Sequence, residues 1–475
     1  MTVNLAADRS VALPTHPPSV QAIASILVLA GALTLLPPIT ADDRPVQESR
    51  EPSGHADEQP PAEDEQEPVE DEQESVEDEQ ESAEDEPVDV APDAHYDPVL
   101  KRLLEPLIRI ERPGYSIESH GKLQVQYLGA DAEDPVLEED VFVRLFRPFV
   151  FGTIGESWRW KFEVELNSEI DARKIDLDQL DLRDVYVRYE ASAGTSWRLT
   201  LGNQRAPYSR DWMTSKTQLL LVERTPAGSQ RAGVPDRVLG IHFRGESRKG
   251  RISYWAAAGD LGHEPDVGSL RFDSVIGGGG NLNTGLVFAG RLDLHPGGPM
   301  TFADGDEHSP ELKHTWSLAG YRWENDGHTN HFTEGGVSLD PERADLDSAT
   351  GLEISGGLRG RGITLDYQHN RIRGETRVPG FTGGIYTDGD SRLTVSAVEG
   401  AYRFRRSFVE LGGALSRVDA DGFQDPSRRA TAVVNLYLVR RFMYKLQISH
   451  TWDSSRGGVP GDDFQTTRAQ FQYVW

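Results

Sequence analysis

The chain has 475 residues, with 77 acidic and 49 basic side chains and a net charge of −28. It contains no cysteine, which excludes a disulfide scaffold, a zinc site with cysteine ligands and a thiol nucleophile. Mean hydropathy is −0.51 and only one stretch approaches the length of a membrane helix, so a helical-bundle membrane protein is excluded as well. The 47 glycines and the many aromatic rings (9 Trp, 14 Tyr and 17 Phe) are compatible with a membrane β-barrel.

The one long apolar run covers residues 20–36 and is followed by Pro37, Pro38 and the small Ala41. This pattern predicts a signal peptide over residues 1–41 with cleavage after Ala41. A retained membrane anchor is the alternative, because the run is close to the length that spans a bilayer. Under either interpretation the chain leaves the cytosol.

Residues 42–97 hold 24 acidic side chains against two arginines, a net charge of −22. Within them a seven-residue unit, EDEQEPV, recurs with small changes over residues 63–90. A coiled coil needs two apolar positions per heptad and this unit offers one, so we predict a disordered acidic spacer. A further interpretation is that this acidic run binds cations or a basic partner.

Residues 98–110 have the composition of a short helix, interrupted at Pro106. We therefore predict a short periplasmic segment over residues 98–116, with a different kind of structure from residue 117 onwards.

The pattern from residue 117 has a period of two, which is the period of a β-strand. In one clear case, Trp158, Trp160, Phe162, Val164 and Leu166 alternate with Arg159, Lys161, Glu163 and Glu165. In a membrane barrel the apolar face contacts lipid and the charged face lines a wet lumen.

Sixteen segments carry this alternation and predict an all-β fold, a 16-stranded antiparallel transmembrane β-barrel over residues 117–475. We place the strands near 121–128, 140–151, 157–167, 182–191, 197–205, 237–246, 251–258, 285–294, 313–323, 351–359, 361–370, 392–404, 407–417, 430–438, 442–452 and 466–475. Short connections alternate with long ones, as the periplasmic turns and outer loops of outer-membrane barrels do. The connection 295–312 is an exception, because it should be short and is not.

The last strand ends on aromatic residues that share one face, Phe471, Tyr473 and Trp475. A terminal aromatic that closes an alternating strand resembles the assembly signal of outer-membrane proteins. A chain end that happens to be an edge strand is the alternative.

The chain resembles the phosphate-selective porin O and P family over roughly residues 117–475. The matching segments, in order, are Leu182–Val187, Leu199–Tyr208, Leu221–Arg224, Asp236–Ile241, Val434–Leu438 and Thr467–Phe471. Asn203 and Leu436 depart from the family pattern. The resemblance implies a sixteen-stranded outer-membrane porin, commonly a homotrimer, that admits small anions, with phosphate preference in members that cluster Arg and Lys in the pore.

The connection 206–236 is the longest and the third on the loop side. By similarity to general porins we predict that it folds into the lumen as the constriction. Selectivity depends on charged side chains facing the pore, and Arg suits phosphate and carboxylate. Candidates for an anion path are Arg210, Lys216, Arg224 and Arg231 in the loop and Arg159, Lys161, Arg188, Arg198, Arg244, Lys445 and Arg468 on strands. They face the acidic residues Glu163, Glu165, Asp184, Asp366 and Glu410, and simple pairing of opposite charges is the alternative.

We expect neither an enzyme nor a cofactor, because no nucleophile elbow, phosphate-binding loop or zinc-protease motif occurs. We also expect no metal, although His328, His331 and Glu334, or Asp304, Asp306 and Glu307, could weakly hold one. No basic and aromatic patch suggests nucleic acid. The predicted function is passive diffusion of small anions across an outer membrane. The alternative is a structural envelope barrel tethered through its acidic arm to the cell wall or a periplasmic partner.

Overall fold

The computed structural model describes residues 108–131, 140–166, 180–191, 196–247, 249–276, 283–300, 302, 305, 309–327, 345–405, 407–439 and 444–475. The predicted signal peptide, acidic spacer and residues 98–107 lie outside this part of the chain. So do both weak metal-site candidates around His328 and Asp304.

The described residues form a closed antiparallel barrel. Its sixteen strands are β2 (Tyr115–Asp131), β3 (Asp140–Ile154), β4 (Trp158–Leu166), β5 (Leu180–Glu190), β6 (Trp197–Arg205), β7 (Arg237–Glu246), β8 (Ile252–Glu264), β10 (Asn283–Leu294), β11 (Lys313–Asn325), β12 (Leu346–Gly360), β13 (Ile363–Thr376), β14 (Asp390–Arg403), β15 (Val409–Ala420), β16 (Ser427–Val439), β17 (Tyr444–Ser454) and β18 (Phe464–Val474). Two short strands, β1 (Ile108–Arg112) and β9 (Arg271–Asp273), extend its two rims: β1 pairs with the start of β2 and β9 with the end of β8. The barrel closes where β18 pairs with β2, which leaves no open edge around the wall.

The described residues contain little helix. Within them, one short helix, α1 (Arg210–Met213), and three 3₁₀ turns (Lys216–Gln218, Pro226–Gly228 and Arg456–Gly458) lie in the long connections. Among the described residues, no helix is both long enough and apolar enough to cross a membrane.

The predicted barrel is confirmed, and each of its sixteen strands overlaps one predicted segment. The predicted asymmetry of the connections is present too: Arg361–Gly362 joins two strands at the turn end, whereas 206–236 joins two at the loop end. Several strands run further toward the loop end than predicted; β8, for example, continues to Glu264. Beyond the apolar band a strand no longer needs lipid-facing side chains, so its alternation weakens while its pairing continues.

The prediction of a short helix up to residue 110 is wrong where the structure describes it. Residues Ile108–Arg112 form β1, which pairs antiparallel with the first residues of β2, from Ser119 to Tyr115. The carboxyl end of β18 reaches only as far as Gly121, through two backbone bonds between Gly121 and Trp475 of 3.1 Å each. The start of β2 would otherwise be an unpaired edge, and the alternating Ile-Arg-Ile-Glu-Arg sequence completes its hydrogen bonds.

The outer face of the barrel is apolar and rich in rings. Trp158, Trp197, Trp316 and Trp452 are between 37% and 59% exposed on it. They occupy the ends of strands, where amphipathic rings sit at a membrane interface. These four rings therefore form part of an aromatic girdle on the lipid-facing side.

The loop half of the lumen is not an open aqueous tube, because it contains an apolar core. It combines wall residues with residues of three long connections, 206–236, 265–276 and 377–389, including Tyr208, Leu270, Trp323, Tyr386 and Val395. This core lies against β8 to β15 and includes Val238 at the loop end of β7, so that side of the lumen is filled with protein.

Candidate functional site

The third outer loop (206–236) lies inside the barrel. Its backbone carbonyls accept hydrogen bonds from amide and amine side chains of β2, β13, β16, β17 and β18. These bonds are Gln124 to Lys216 (3.2 Å), Gln472 to Thr217 (2.9 Å), Lys445 to Leu219 (2.8 Å), Asn435 to Leu220 (3.0 Å) and Asn370 to Ala227 (2.9 Å). A buried loop must satisfy its backbone groups, and the wall amides supply the donors.

Three of the predicted loop cations make ion pairs that anchor the loop. Arg210 is bound to Asp366 of β13 at 2.6 Å, with both side chains more than nine-tenths buried. Lys216 contacts Glu165 of β4 at 3.2 Å, and Arg224 contacts Asp211 within the loop at 3.1 Å. Charge pairing, the alternative considered for these residues, thus occurs at all three.

Arg231 is placed differently from the other loop cations. It is exposed, and its backbone carbonyl accepts from the amide of Leu270 in the next long connection at 3.1 Å. It therefore lies apart from Arg210, Lys216 and Arg224, which are held in ion pairs.

The environment of the loop lowers the pKa of two of its ionisable groups, one basic and one acidic. Burial, helped by Arg147, Arg144 and Arg183, lowers the pKa of Lys216 to about 7 against the opposing effect of Glu165. The carboxylate of Glu223 receives two bonds from Arg144, at 3.0 and 2.9 Å, and its pKa falls to about 2 although burial opposes the shift. Near neutral pH the charge of Lys216 is thus the one open to change.

Four predicted cations come together on neighbouring strands at the turn end of the lumen. Arg159, Arg188, Arg198 and Arg244 lie on β4, β5, β6 and β7 and are here called the inner cation row. Arg159 is directly opposite Arg188, and Arg198 is directly opposite Arg244. Like charges in direct cross-strand positions repel each other, and this row brings four guanidiniums together on the lumen side of neighbouring strands.

Two carboxylates accompany the inner cation row. Glu190 lies 2.5 Å from Arg159 and 3.9 Å from Arg188, and Glu246 lies 2.6 Å from Arg244. Each of these carboxylates thus pairs with arginines of the row.

A cleft beside the row continues toward the third outer loop. Its charged lining residues are Lys161, Asp184, Arg198, Arg205 and Arg244. Met213, Trp255 and Phe302 close its inner side, where the loop meets the wall. The cleft is therefore a cationic vestibule on the turn side of the loop, with Asp184 as the one acidic lining residue among the described ones.

The last two predicted cations lie on the opposite wall. Lys445 of β17 is fully buried and donates to the loop at Leu219, so it holds the loop rather than lining open space. Arg468 of β18 lines a second cleft on the loop side, together with Arg429, Arg224 and Glu223. The predicted candidates thus form separate groups, not one continuous path.

The predicted acidic residues all face inward and are bound to cations or amides. Glu163 lies 3.2 Å from Lys161, and Asp184 lies 3.1 Å from Lys161 and 2.8 Å from Arg237. Glu410 accepts from Asn435 at 2.9 Å and from Tyr437 at 2.7 Å.

Stacking of guanidiniums on aromatic rings was not anticipated from the sequence. Arg244 lies 3.9 Å from the ring centre of Trp255, and Phe302 lies between Arg210 and Arg291 at 5.2 and 5.0 Å. Phe302 comes from the long connection 295–312 at the turn end, and its carbonyl accepts from Thr214 of the loop at 2.9 Å. The unexpected length of that connection was the only signal of this support.

Arg144 was also missed. In the pairing of β2 with β3, Gln124 faces Leu145 and Val125 faces Val143, so Arg144 is an extra residue in a β-bulge. A bulge re-aims a side chain and breaks the period of two, which is why a search by alternation passes over it.

The three residues of the predicted assembly signal lie where β18 closes the barrel. Tyr473 pairs with Leu123, Phe471 with Val125, and the ring of Trp475 stacks on Tyr473 at 5.3 Å. Their role in assembly remains a prediction.

Comparison with known proteins gives a family match and several similar folds. Residues 120–355 match the family model described as phosphate-selective porin O and P. No curated protein matches the chain. Similar solved structures include Vibrio cholerae OmpT, in-vitro folded in its trimer form (11% identity, 76% of this chain and 100% of that one, TM-score 0.47), the anion-selective porin from Comamonas acidovorans (11%, 76%, 100%, 0.45) and the channel DcaP of Acinetobacter baumannii (10%, 77%, 99%, 0.46).

Proposed function

Because the chain belongs to the phosphate-selective porin O and P family and is an outer-membrane channel, we propose that small anions diffuse passively through its lumen, with phosphate as one candidate solute. The observation that carries the proposal is the inner cation row, where arginines directly oppose arginines on neighbouring strands. A permeant anion entering this face relieves that repulsion. No bond is made or broken in this mechanism.

The vestibule extends the favourable region for anions from the row to the third outer loop. Guanidiniums present a rigid fork of N–H donors that matches the oxygens of phosphate and carboxylate. Charged rings of this kind select ions in narrow pores, provided that binding stays weak enough for release. The acidic residues Asp184, Glu190 and Glu246 limit the local excess of positive charge and so favour transit over trapping.

The third outer loop is the proposed constriction. Two contacts with the wall fix its position: the ion pair of Arg210 with Asp366 of β13, and the hydrogen bond that Lys445 of β17 donates to the carbonyl of Leu219. We propose that anions pass between this loop and the wall of β4 to β7, because the vestibule lies there and the opposite side holds the apolar core. Assembly as a homotrimer, which the family resemblance implies, is part of the same proposal.

A structural envelope barrel is the second candidate, and the apolar core in the lumen favours it. Twenty-four buried apolar residues of the described part of the chain form this core, and the loop is hydrogen-bonded to β2, β13 and β16 of the wall. A barrel filled to this extent could pass little solute and act mainly as an anchor. If the protein is such an anchor, deletion of residues 42–97 should abolish its attachment to the envelope. If it is a pure porin, the same deletion should leave its conductance unchanged.

The decisive experiment is conductance of the purified protein in a planar bilayer under a salt gradient. We expect discrete channels with a reversal potential that favours anions, and a smaller chloride current after millimolar phosphate is added. A cation-favouring potential would overturn anion selectivity while leaving a channel. A folded barrel without conductance would favour the structural candidate.

A further inference from the structure

We propose that the outer wall of the barrel binds the phosphate headgroup of an anionic membrane lipid at the loop end of β13 and β14. The site consists of Arg371, Arg373 and Arg392, here called the outer arginine patch. The occupant is a lipid whose acyl chains lie along the apolar wall below the patch. The inference goes beyond the proposed function, because it concerns the outer face of the barrel and not the lumen.

The alternation of buried and exposed residues places the patch on the outer face. Ile372 and Leu393 belong to the apolar core of the lumen and are almost completely buried. Their neighbours along each strand point to the opposite face of the sheet. Arg371, Arg373 and Arg392 are all exposed, as that direction requires. The patch therefore lies on the lipid-facing side of the wall, apart from the cations proposed to guide anions through the lumen.

The register of the two strands brings the three guanidiniums together. Arg373 is directly opposite Arg392, and Arg371 is opposite Thr394. Direct cross-strand neighbours are about 5 Å apart, and diagonal neighbours are about 7 to 8 Å apart. A single phosphate-bearing headgroup is therefore within reach of all three long side chains.

The outward side chains of β13 change in character from the turn end to the loop end. They are, in order, Ile363, Leu365, Tyr367, His369, Arg371 and Arg373. The first three are exposed although they are large and hydrophobic. Acyl chains suit the apolar part of this series, an amphipathic ring suits the membrane interface, and guanidiniums suit an anionic headgroup. The face of one strand thus matches a lipid from its chains to its headgroup.

The two ends of these strands differ in the residues that face the lipid. At the turn end the outward positions hold Ile363 on β13 and Tyr402 on β14, and both are exposed. The cations occupy the other end. Long connections face the exterior in an outer-membrane barrel, so the patch lies at the level of the headgroups of the outer leaflet. A lipid of that leaflet is the partner that this placement favours.

The charges within the patch leave room for an external anion. Arg373 pairs with Glu375 at 3.2 Å and with Asp390 at 2.8 Å. These two carboxylates are 44% and 34% exposed, and exposed pairs contribute little to stability, so a phosphate can compete with them. Neither Arg371 nor Arg392 forms an ion pair with another described residue. Both can present their fork of N–H donors to phosphate oxygens.

A lipid fits the patch better than a free phosphate ion does. The patch lies on the outer wall, where a small free ion would keep much of its hydration and gain little from exposed cations. The acyl chains of a lipid bury apolar surface against the exposed side chains below and so hold the headgroup beside the arginines. Phosphate is the chemistry common to both ligands, and the adjoining apolar wall favours the lipid as its source.

Native mass spectrometry of the full chain in detergent measures the proposed binding, with lipid A carrying two phosphates as the probe. We expect R371Q, R373Q and R392Q together to lower the amount of bound lipid about ten-fold or more, because each arginine beside a headgroup adds to the attraction. The matched control removes three exposed arginines of turn-end connections, with R251Q, R361Q and R405Q, and should bind the lipid like the wild type. Circular dichroism checks that both triple variants keep their strands.

Two further arms identify the ligand. The same lipid without its phosphates should bind the wild type no better than it binds the patch variant. Inorganic phosphate at millimolar concentration should compete weakly, because it has no acyl chains. Equal binding of the phosphorylated lipid by the wild type and the patch variant would overturn the proposal, as would an equal loss in the control. Full competition by inorganic phosphate would show a site for free anions and exclude the lipid site.

A dye experiment tests where the lipid binds. The chain has no cysteine, so a single one can be introduced and labelled. Thr394→Cys, opposite Arg371, places an environment-sensitive dye beside the patch, and its emission should change when the phosphorylated lipid is added. Leu201→Cys is exposed on β6, on the far side of the wall, and should not respond. Equal responses at the two positions would mean that the lipid coats the barrel without using the patch. Neither measurement needs a current, so the result is independent of the porin function.

Discussion

The ion pairs that hold the third outer loop differ in how easily water reaches them, and this difference determines their roles. Arg210 and Asp366 are almost completely buried, and Asp366 also accepts from Arg359. Lys216 keeps 27% of its side-chain surface exposed beside Glu165. The Arg210–Asp366 pair therefore fixes the loop, whereas the Lys216–Glu165 pair can respond to changes in the surrounding solution.

Removal of one partner from the buried pair should be costly. We expect Asp366→Asn to destabilise the barrel by about 3 to 5 kcal/mol, because two buried guanidiniums lose their counter-charge. The matched control is Asp419→Asn, which breaks a pair with Arg417 on the exposed face and should cost less than about 1 kcal/mol. Urea unfolding of the lipid-reconstituted barrel, followed by gel mobility, measures both. Equal losses would contradict the assigned role of Asp366.

Conductance should depend on pH through Lys216, whose pKa lies at about 7. As the pH rises through this value the ammonium loses its proton, so the constriction loses positive charge and anion preference should fall. Reversal potentials at about pH 6 and about pH 8 measure the change. Lys216→Arg should hold the preference constant, because a guanidinium stays charged. A pH dependence that survives in this variant would show that a group other than Lys216 is responsible.

At the level of elements, alternation of apolar and charged residues was enough to predict all sixteen wall strands, because lipid on one side and water on the other force a period of two. The same signal could not find β1, which is exposed throughout and pairs only because β18 ends early. It also passed over Arg144, which stands in a bulge. The third outer loop was predicted from its length. Its partners on the wall could not be predicted, because they are far away in sequence.

The connection 295–312 shows how one element supports another. Phe302 packs under the third outer loop between Arg210 and Arg291. We expect Phe302→Ala to leave the strands intact, to cost about 3 to 5 kcal/mol and to increase current noise as the loop loosens. Phe302→Leu keeps most of the volume and should cost less, with about 0.5 to 2 kcal/mol attributable to the lost ring–cation contacts. Noise-free channels in the alanine variant would show that the loop does not need this support.

For the whole molecule, ion selectivity should depend more on whether a charge lies on the inner or the outer face than on the net charge. R198E with R244E reverses a cross-strand arginine pair in the lumen and should shift the reversal potential toward cations. The chain offers a matched control, because Arg417 and Arg428 form a cross-strand pair in exposed positions of β15 and β16. R417E with R428E should leave selectivity near that of the wild type. Equal shifts in the two double variants would mean that net charge alone governs the current.

Closure of the ring has a consequence for the order in which the protein is made. Gln124 and Gln472, which hydrogen bond across the β2–β18 seam, are 348 positions apart, so the seam forms only when the last strand has been synthesised. The third outer loop lies inside that ring and is bonded to β2, β16, β17 and β18. Its carbonyls accept from side chains on both sides of the seam, so the full set of these bonds is complete only when the first and last strands are both in place. Closure of the ring and anchoring of the loop are therefore coupled steps in the biogenesis of this protein.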